Sequence, residues 1–253
     1  MRTTARNIAD FLNRELRVRN IHDASVNGLQ VKFKKDKDVR VVGFAVDGCL
    51  STFEKAKKLQ VDLIVVHHGI KWKPQKDRET AERRAEFLLK NNLALYAVHL
   101  PLDLHPLYGN NAGLCRLLEL RDIRKFGGYH GIKIGYQGVF RKAVSPGDVS
   151  RILNRRLKTR CCIHEFGRGK INTIGIVSGG GGGSLKEAVK ERLDCLLTGE
   201  IDLAVYNTAR EYGIHLIVGG HYATETPGVR ALMPLIQEHF PVETVFIDDP
   251  KDL

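Results

Sequence analysis

Six side chains of two chemical types stand at intervals that suit metal binding. His67 and His68 are adjacent, His99 precedes Asp103 by four positions, and His221 precedes Glu225 by four. Imidazole with carboxylate is the donor set of zinc, iron and manganese sites. On a strand, neighbours point to opposite sides, so His67 and His68 suit two ions better than one. A carboxylate has two oxygens and can bridge a pair of ions, whereas a neutral imidazole cannot. Taken singly, a histidine pair or a four-residue spacing is as readily structural; it is their joint placement that points to metal. The chemistry such a pair supports is hydrolysis by activated water. The five cysteines (Cys49, Cys115, Cys161, Cys162 and Cys195) show no C-x-x-C spacing, which removes thiolate zinc sites and a disulfide framework and fits ordinary thiols in a reducing compartment.

The elements that must position these groups repeat along the chain. Residues 41–46 (VVGFAV) form an apolar run, a helical stretch follows from about Ser51 to Leu59, and Val61–Val66 ends in His67-His68-Gly69. Residues 173–177 (TIGIV) lead into Ser178 and the glycines 179–183. A helix over 185–192 follows, and Leu193–Leu197 ends in Thr198-Gly199-Glu200. Gly43 and Gly175, Ala56 and Ala188, Lys58 and Lys190, and Asp62 and Asp194 share one offset of 132 residues. After a further helix, Leu95–Asp103 echoes Ile217–Glu225, matching His99 with His221 and Asp103 with Glu225. Both halves thus follow a β-α-β-α-β plan. In such sheets ligands collect at the carboxyl ends of the strands, where all six residues and Glu200 fall.

Apolar strands alternating with helices predict an α/β fold of two related domains with mainly parallel sheets. The boundary is expected near 125: residues 1–125 form the first domain and 126–253 the second. The opening of the second domain is turn-rich (126–131), with strands at 132–140 and 160–166 flanking a helix over 146–157. A closing helix starts at Thr226 with Pro227 in its first turn, runs to His239, and is followed by a strand over 242–247. No run approaches the ~18 apolar residues of a membrane span. Arg2, Arg6, Asp10, Arg14 and Glu15 break the N-terminal segment, so a signal peptide is not expected and the expected location is the cytoplasm. The net charge of +11 leaves three readings open: a solvated surface, nucleic acid, or an anionic ligand such as a nucleotide. The glycine run 179–183 is read two ways, as amides approaching a phosphate or as a turn permitting close packing. It lacks the Lys-Ser/Thr ending of a P-loop.

The segments VVHHGIKW, YAVHLPLDLHPLYGNNAGL, SGGGGG, LTGEI and GGHYATETPGVRAL, with VNGLQV and FIDDP towards the ends, resemble the Ngg-interacting-factor-three-like dinuclear-metal proteins. Bacterial members of that family are commonly labelled GTP cyclohydrolase I type 2 homologues. The resemblance covers essentially the whole chain. It implies two interleaved α/β domains with a metal cleft between them, and a toroidal homohexamer. It also implies two divalent ions (Zn, Fe or Mn) held by His67, His68, Asp103, His221 and Glu225, with Glu225 as bridge. His99 is then either an acid–base group or a histidine that orients Asp103. Two functions from different classes follow. One is a metal-dependent hydrolase of the cyclohydrolase kind, acting on a nucleotide ring or another hydrolysable bond. The other is a metal-stabilised hexamer that binds nucleic acid or a protein partner with little catalysis.

Overall fold

The structure, a computed structural model, describes residues 3–34 and 37–251. Arg2, one of the charges that break the N-terminal segment, lies outside them. The elements run α1 (Ala5–Glu15), β1 (Gly28–Val31), β2 (Val41–Asp47), α2 (Leu50–Lys58), β3 (Leu63–His68), α3 (Arg78–Lys90), β4 (Ala94–Ala97) and α4 (Leu100–Asp103). They continue with α5 (Asn110–Leu117), β5 (Arg121–Tyr129), β6 (Ile132–Val144), α6 (Pro146–Leu157), β7 (Cys162–His164), β8 (Ile171–Val177) and α7 (Leu185–Lys190). The chain closes with β9 (Cys195–Thr198), α8 (Leu203–Tyr212), β10 (His215–Val218), α9 (His221–Thr224), α10 (Thr226–His239) and β11 (Glu243–Phe246).

These elements form two compact units, Met1–Leu102 with Val229–Asp249, and Asp103–Gly228 with Pro250–Leu253. Among the described residues the first unit holds a sheet in the order β1-β4-β3-β2-β11, parallel except for β1 at its edge. The second holds a sheet in the order β5-β6-β8-β9-β10-β7. Its β8, β9 and β10 are parallel, and β5, β6 and β7 join antiparallel. The α/β class expected from the alternating elements is therefore the observed one.

Burial explains why the parallel strands are nearly continuous apolar runs. In the first unit, Ile64 and Val66 of β3 and Leu95 and Ala97 of β4 pack with Phe53 and Ala56 of α2 and Leu88 of α3. Alternate residues such as Tyr96 turn the other way, and its hydroxyl reaches Asn13 of α1 at 3.1 Å. In the second unit, α5 and α6 cover one face through Leu114, Cys115, Val149 and Leu153. Leu185 and Ala188 of α7 and Ala209 of α8 cover the other. Helix α6 starts with a reciprocal Ser145–Asp148 capping box and Pro146 at its first position, and covers the expected span of 146–157. Cys115 and Cys195 are fully buried, which pushes the Cys115 thiol up to about 12 and raises that of Cys195. Among the described residues no helix is long and apolar enough to cross a membrane.

The repeat extends to the backbone register. Leu63, Ile64 and Val65 lie beside Val42, Gly43 and Phe44, while Cys195, Leu196 and Leu197 lie beside Ile174, Gly175 and Ile176, each 132 residues on. One strand further the offset changes. Ala94 lies beside Leu63 and His215 beside Cys195, so here the units are 121 residues apart, and the first carries eleven residues more before β4.

Candidate metal centre

In the first unit, parallel register brings the chemistry-bearing residues to one end of the sheet. Asp47 ends β2 opposite His68 at the end of β3, and His99 follows β4 by two residues. The ligand atoms of His67, His68 and His99 all lie within 4.8 Å of one another. The rings of His67 and His68 have centroids 4.6 Å apart and are inclined by 51°. Each ring is held through Nδ1: His67 by the Val98 carbonyl at 3.0 Å, His68 by Asp47 at 2.8 Å and His99 by Asp23 at 3.0 Å. A carbonyl or carboxylate only accepts, so Nδ1 carries the proton and Nε2 the lone pair. This is the tautomer that binds a cation, and it is fixed in the way ligating histidines usually are.

Asp23 is itself built in. It accepts the Ser25 amide at 3.0 Å, the Asn27 side-chain amide at 2.9 Å and the Leu100 amide at 2.9 Å. Burial alone would raise its carboxyl; the hydrogen bond from His99, the charge of that ring when it is protonated, and the hydrogen bonds from Asn27 and Ser25 bring it down to about 2.

In the second unit, Asp103, His221 and Glu225 are placed together. His221 opens the short helix α9 and its Nε2 is 3.2 Å from Glu225 Oε1, while its Nδ1 is 3.2 Å from Glu200 Oε2. The hydrogen bond with Glu225 lifts His221 to about 9, against partial burial and with help from Glu200. Ligand oxygens of Asp103 and Glu225 lie within 4.8 Å of each other. Both carboxylates are buried. Asp103 Oδ1 accepts Asn110 Nδ2 at 2.8 Å and Ser178 Oγ at 3.2 Å. Asn111 fastens the Asp103 carbonyl and the Ser178 amide, and Asn110 takes the Gly228 amide at 2.7 Å. Two fully buried asparagines thus fix the aspartate.

The glycine run resolves towards close packing. Gly179 has φ +58°, and a Cβ there would stand 2.1 Å from Glu225 Oε1 and 2.9 Å from His221 Nε2. A Cβ on Gly181 would meet Val177 at 2.5 Å. No side chain fits at 179, because the carboxylate and imidazole occupy its space.

One correspondence drawn from sequence is corrected. Matching His99 with His221 requires an offset of 122, but the strand register gives 121. The bonds Val98 N to Val66 O and Gly219 N to Thr198 O extend that register beyond the strands. His99 therefore stands where the second unit has Gly220, and His221 stands where the first has Leu100 at the start of α4. The two histidines are not equivalent. His99 is held by Asp23 ahead of a helix, and His221 sits on a helix within reach of two glutamates. Sequence reasoning also passed over Asp23, Asp47, Asn110, Asn111 and Ser178. Only the NN pair in YGNNAGL carried a signal, and no spacing revealed its role.

The donor set fits divalent cations. It is imidazole and carboxylate, it contains no cysteine among the described groups, and its glycine wall leaves room for Glu225 and His221 where a Cβ would intrude. The profile of the family described as Duf34/NIF3 (NGG1p interacting factor 3) matches residues 3–252. The chain belongs to this family. A Pyrococcus abyssi protein named GTP cyclohydrolase 1 type 2 homolog is 43% identical over 248 residues, covering 97% of this chain and 98% of the relative. A protein of the same name from Archaeoglobus fulgidus is 37% identical, over 97% of this chain and 98% of its own. The crystal structure of a Thermus thermophilus protein, 35% identical, superposes with a TM-score of 0.86 over 99% of this chain and 100% of that one.

Proposed function

We propose that this NIF3-family chain is a metal-dependent hydrolase in which His67, His68, Asp103, His221 and Glu225 hold two divalent ions of zinc, iron or manganese, with Glu225 as the bridge. The observation that carries the reading is the anchoring of His67 and His68 through Nδ1, which sets the tautomer whose Nε2 is the ligating nitrogen. When bound, two such ions lower the pKa of water and polarise the group it attacks.

The chain's own residues do the rest. Asn110 and Ser178 hold one oxygen of Asp103 and so orient the other. Asp23 keeps a proton on His99 Nδ1, so that Nε2 takes or returns a proton at the reacting group. Relatives bear the name of GTP cyclohydrolase homologues, and hydrolytic opening of a nucleotide ring is a reaction of this class. A nucleotide also suits the charge of +11. The reading includes a cytoplasmic homohexamer.

The same charge favours a second reading, a metal-stabilised hexamer that binds nucleic acid with little catalysis. Metal analysis of the native protein, followed by a nucleotide screen with and without chelator, tests the first reading. Turnover that falls on chelation supports it. Protein that binds no divalent metal, or turnover indifferent to chelation, overturns it.

A further inference from the structure

The eleven extra residues of the first unit fall between His68 and Leu88, since Leu93 N to Leu88 O and Ile214 N to Ala209 O already keep the 121 offset. In the second unit α8 begins three residues after Glu200, the counterpart of His68. In the first, α3 begins ten residues after His68. Seven of the eleven thus lengthen the loop 69–77 and four lengthen α3 before Leu88; the longer loop contains Trp72, the one tryptophan of the chain. It places that indole beside the histidines, with ring centroids 5.1 Å from His99 and 6.3 Å from His68.

The loop is held as firmly as a strand. Ser25 and Trp72 form an antiparallel bridge, Val26 N bonds Lys71 O at 3.0 Å, and Lys73 N bonds Ala24 O at 2.7 Å. Gln30 accepts the amides of Ile70 and Lys71. Trp72 Nε1 donates to Gly69 O at 3.0 Å, which fixes the ring itself. The segment that pins the loop, residues 23–30, also supplies Asp23 and Asn27 to His99. Indole and imidazole are thus set by one rigid piece of chain.

Trp72 is half-buried, and Lys71, Lys73 and Lys76 of the same loop are exposed. Asp77, the carboxylate of this loop, is engaged in capping α3 through the Thr80 amide at 2.9 Å. A preset indole offers a π face to a planar ring, and flanking ammonium groups offer attraction to an anion. Every nucleobase has a face that stacks on an aromatic side chain, whatever its edge.

We infer that the inserted loop is the substrate-recognition wall of the site: Trp72 stacks on the ring of a nucleotide while Lys71 and Lys73 draw in its phosphate. This rests on the hydrolase reading for its biological meaning, but it is tested by binding alone. Ring stacking selects the base-bearing ligand, and rigidity limits the ordering cost on binding.

The test is titration of the whole protein with the four common nucleoside monophosphates and with ribose 5-phosphate, which has the phosphate but no base. It is followed by Trp72 fluorescence and by calorimetry. At least one nucleotide should change Trp72 fluorescence and bind about tenfold or more tightly than ribose 5-phosphate. Trp72→Leu should weaken that binding by about tenfold, and Trp72→Phe should largely restore it. A Lys71→Glu, Lys73→Glu double variant should weaken nucleotide and ribose 5-phosphate alike. The inference is overturned if no nucleotide binds better than ribose 5-phosphate, or if Trp72→Leu binds as the unaltered protein does. Divalent-metal content measured on the same preparations reports on the dinuclear reading independently, so the two can fail separately.

Discussion

Asp62 and Asp194, 132 residues apart, tie their sheets together in the same way. Asp62 Oδ2 accepts the amides of Arg40 and Val41 at 2.8 and 3.1 Å, and Asp194 Oδ2 accepts those of Asn172 and Thr173 at 2.9 and 2.8 Å. Each carboxylate precedes a parallel strand and caps the amides that open the next. The preceding turns also match, with Gln60 and Arg192 both at φ +53°. Two units that reuse so local a device were built on one plan, which accounts for a constant sequence offset better than chance apolar runs do.

Asp62→Ala should therefore destabilise the protein by about 2 kcal/mol, the order expected when amides lose a charged acceptor. Burial would raise the Asp62 carboxyl, but hydrogen bonding to Lys37 and to the two amides lowers it below the ordinary carboxylate range. A depressed folded-state pKa adds stability that is present above the unfolded value and is lost as pH falls through the folded one. Chemical denaturation should show the gap between unaltered protein and variant full at pH 7 and shrinking below about pH 4. A gap constant from pH 7 to pH 3 would refute this account.

Much of this was legible because burial and repetition write themselves into sequence. The span of α10, from Thr226 to His239, follows from its early proline and apolar spacing, but Thr226 is its first residue and not its cap: its Oγ1 donates to the Ala223 carbonyl at 2.9 Å. The core of β3 follows from an unbroken apolar run. Strand β5 was not legible: Arg121-Asp122-Ile123-Arg124-Lys125 is exposed and charged, its order comes from pairing with β6, and its far end looks like a turn. At the site, residue types named the donors, but the groups that aim them are distant in sequence. Asp23 lies 76 residues from His99, and Ser178 lies 75 from Asp103. The one-residue slip between His99 and His221 has the same origin, because an identical letter outweighed a register that only strand pairing defines.

Gly179→Ala should displace Glu225 and His221, since its Cβ would stand 2.1 and 2.9 Å from their ligand atoms. Holding alanine at φ +58° adds roughly 1–2 kcal/mol of backbone cost. Bound divalent metal should fall by more than half while the protein stays folded by circular dichroism. Gly183→Ala, whose Cβ would meet nothing within 4 Å, should keep both metal and stability. Equal metal content in the two variants would show that the glycine does not guard the ligands.

Ser178→Ala removes one group that holds Asp103 Oδ1 and leaves Asn110 in place. Groups that orient a ligand typically contribute about 10–100-fold to metal affinity. Competition with a chelator should show roughly tenfold weaker binding in Ser178→Ala, and a similar loss in Asp47→Asn, which acts on His68. Unchanged affinity in both would mean that these contacts serve folding and not metal binding.

The hydrolase and the nucleic-acid binder make opposite predictions for the same variants. If the site activates water, nucleotide turnover should depend on divalent cation and fall on chelation. It should fall again in His68→Ala and Asp103→Ala, by at least about a hundredfold if each ligand contributes to the step that the ions promote. Glu225→Ala should lose most bound metal if Glu225 serves both ions, as the proposal has it. Light scattering should find the unaltered protein as a hexamer. If instead the charge of +11 serves nucleic acid, affinity should drop steeply with salt as lysines and arginines displace counterions from phosphates. That affinity should also survive the same ligand substitutions. Anchoring of imidazoles by Nδ1 and of Asp103 by two buried asparagines suits metal binding, which both readings share, so turnover decides between them; the hydrolase ranks first because activating water is the usual use of such a donor set. Salt-sensitive DNA or RNA binding that persists after metal removal, with no turnover across a broad nucleotide panel, would reverse the ranking.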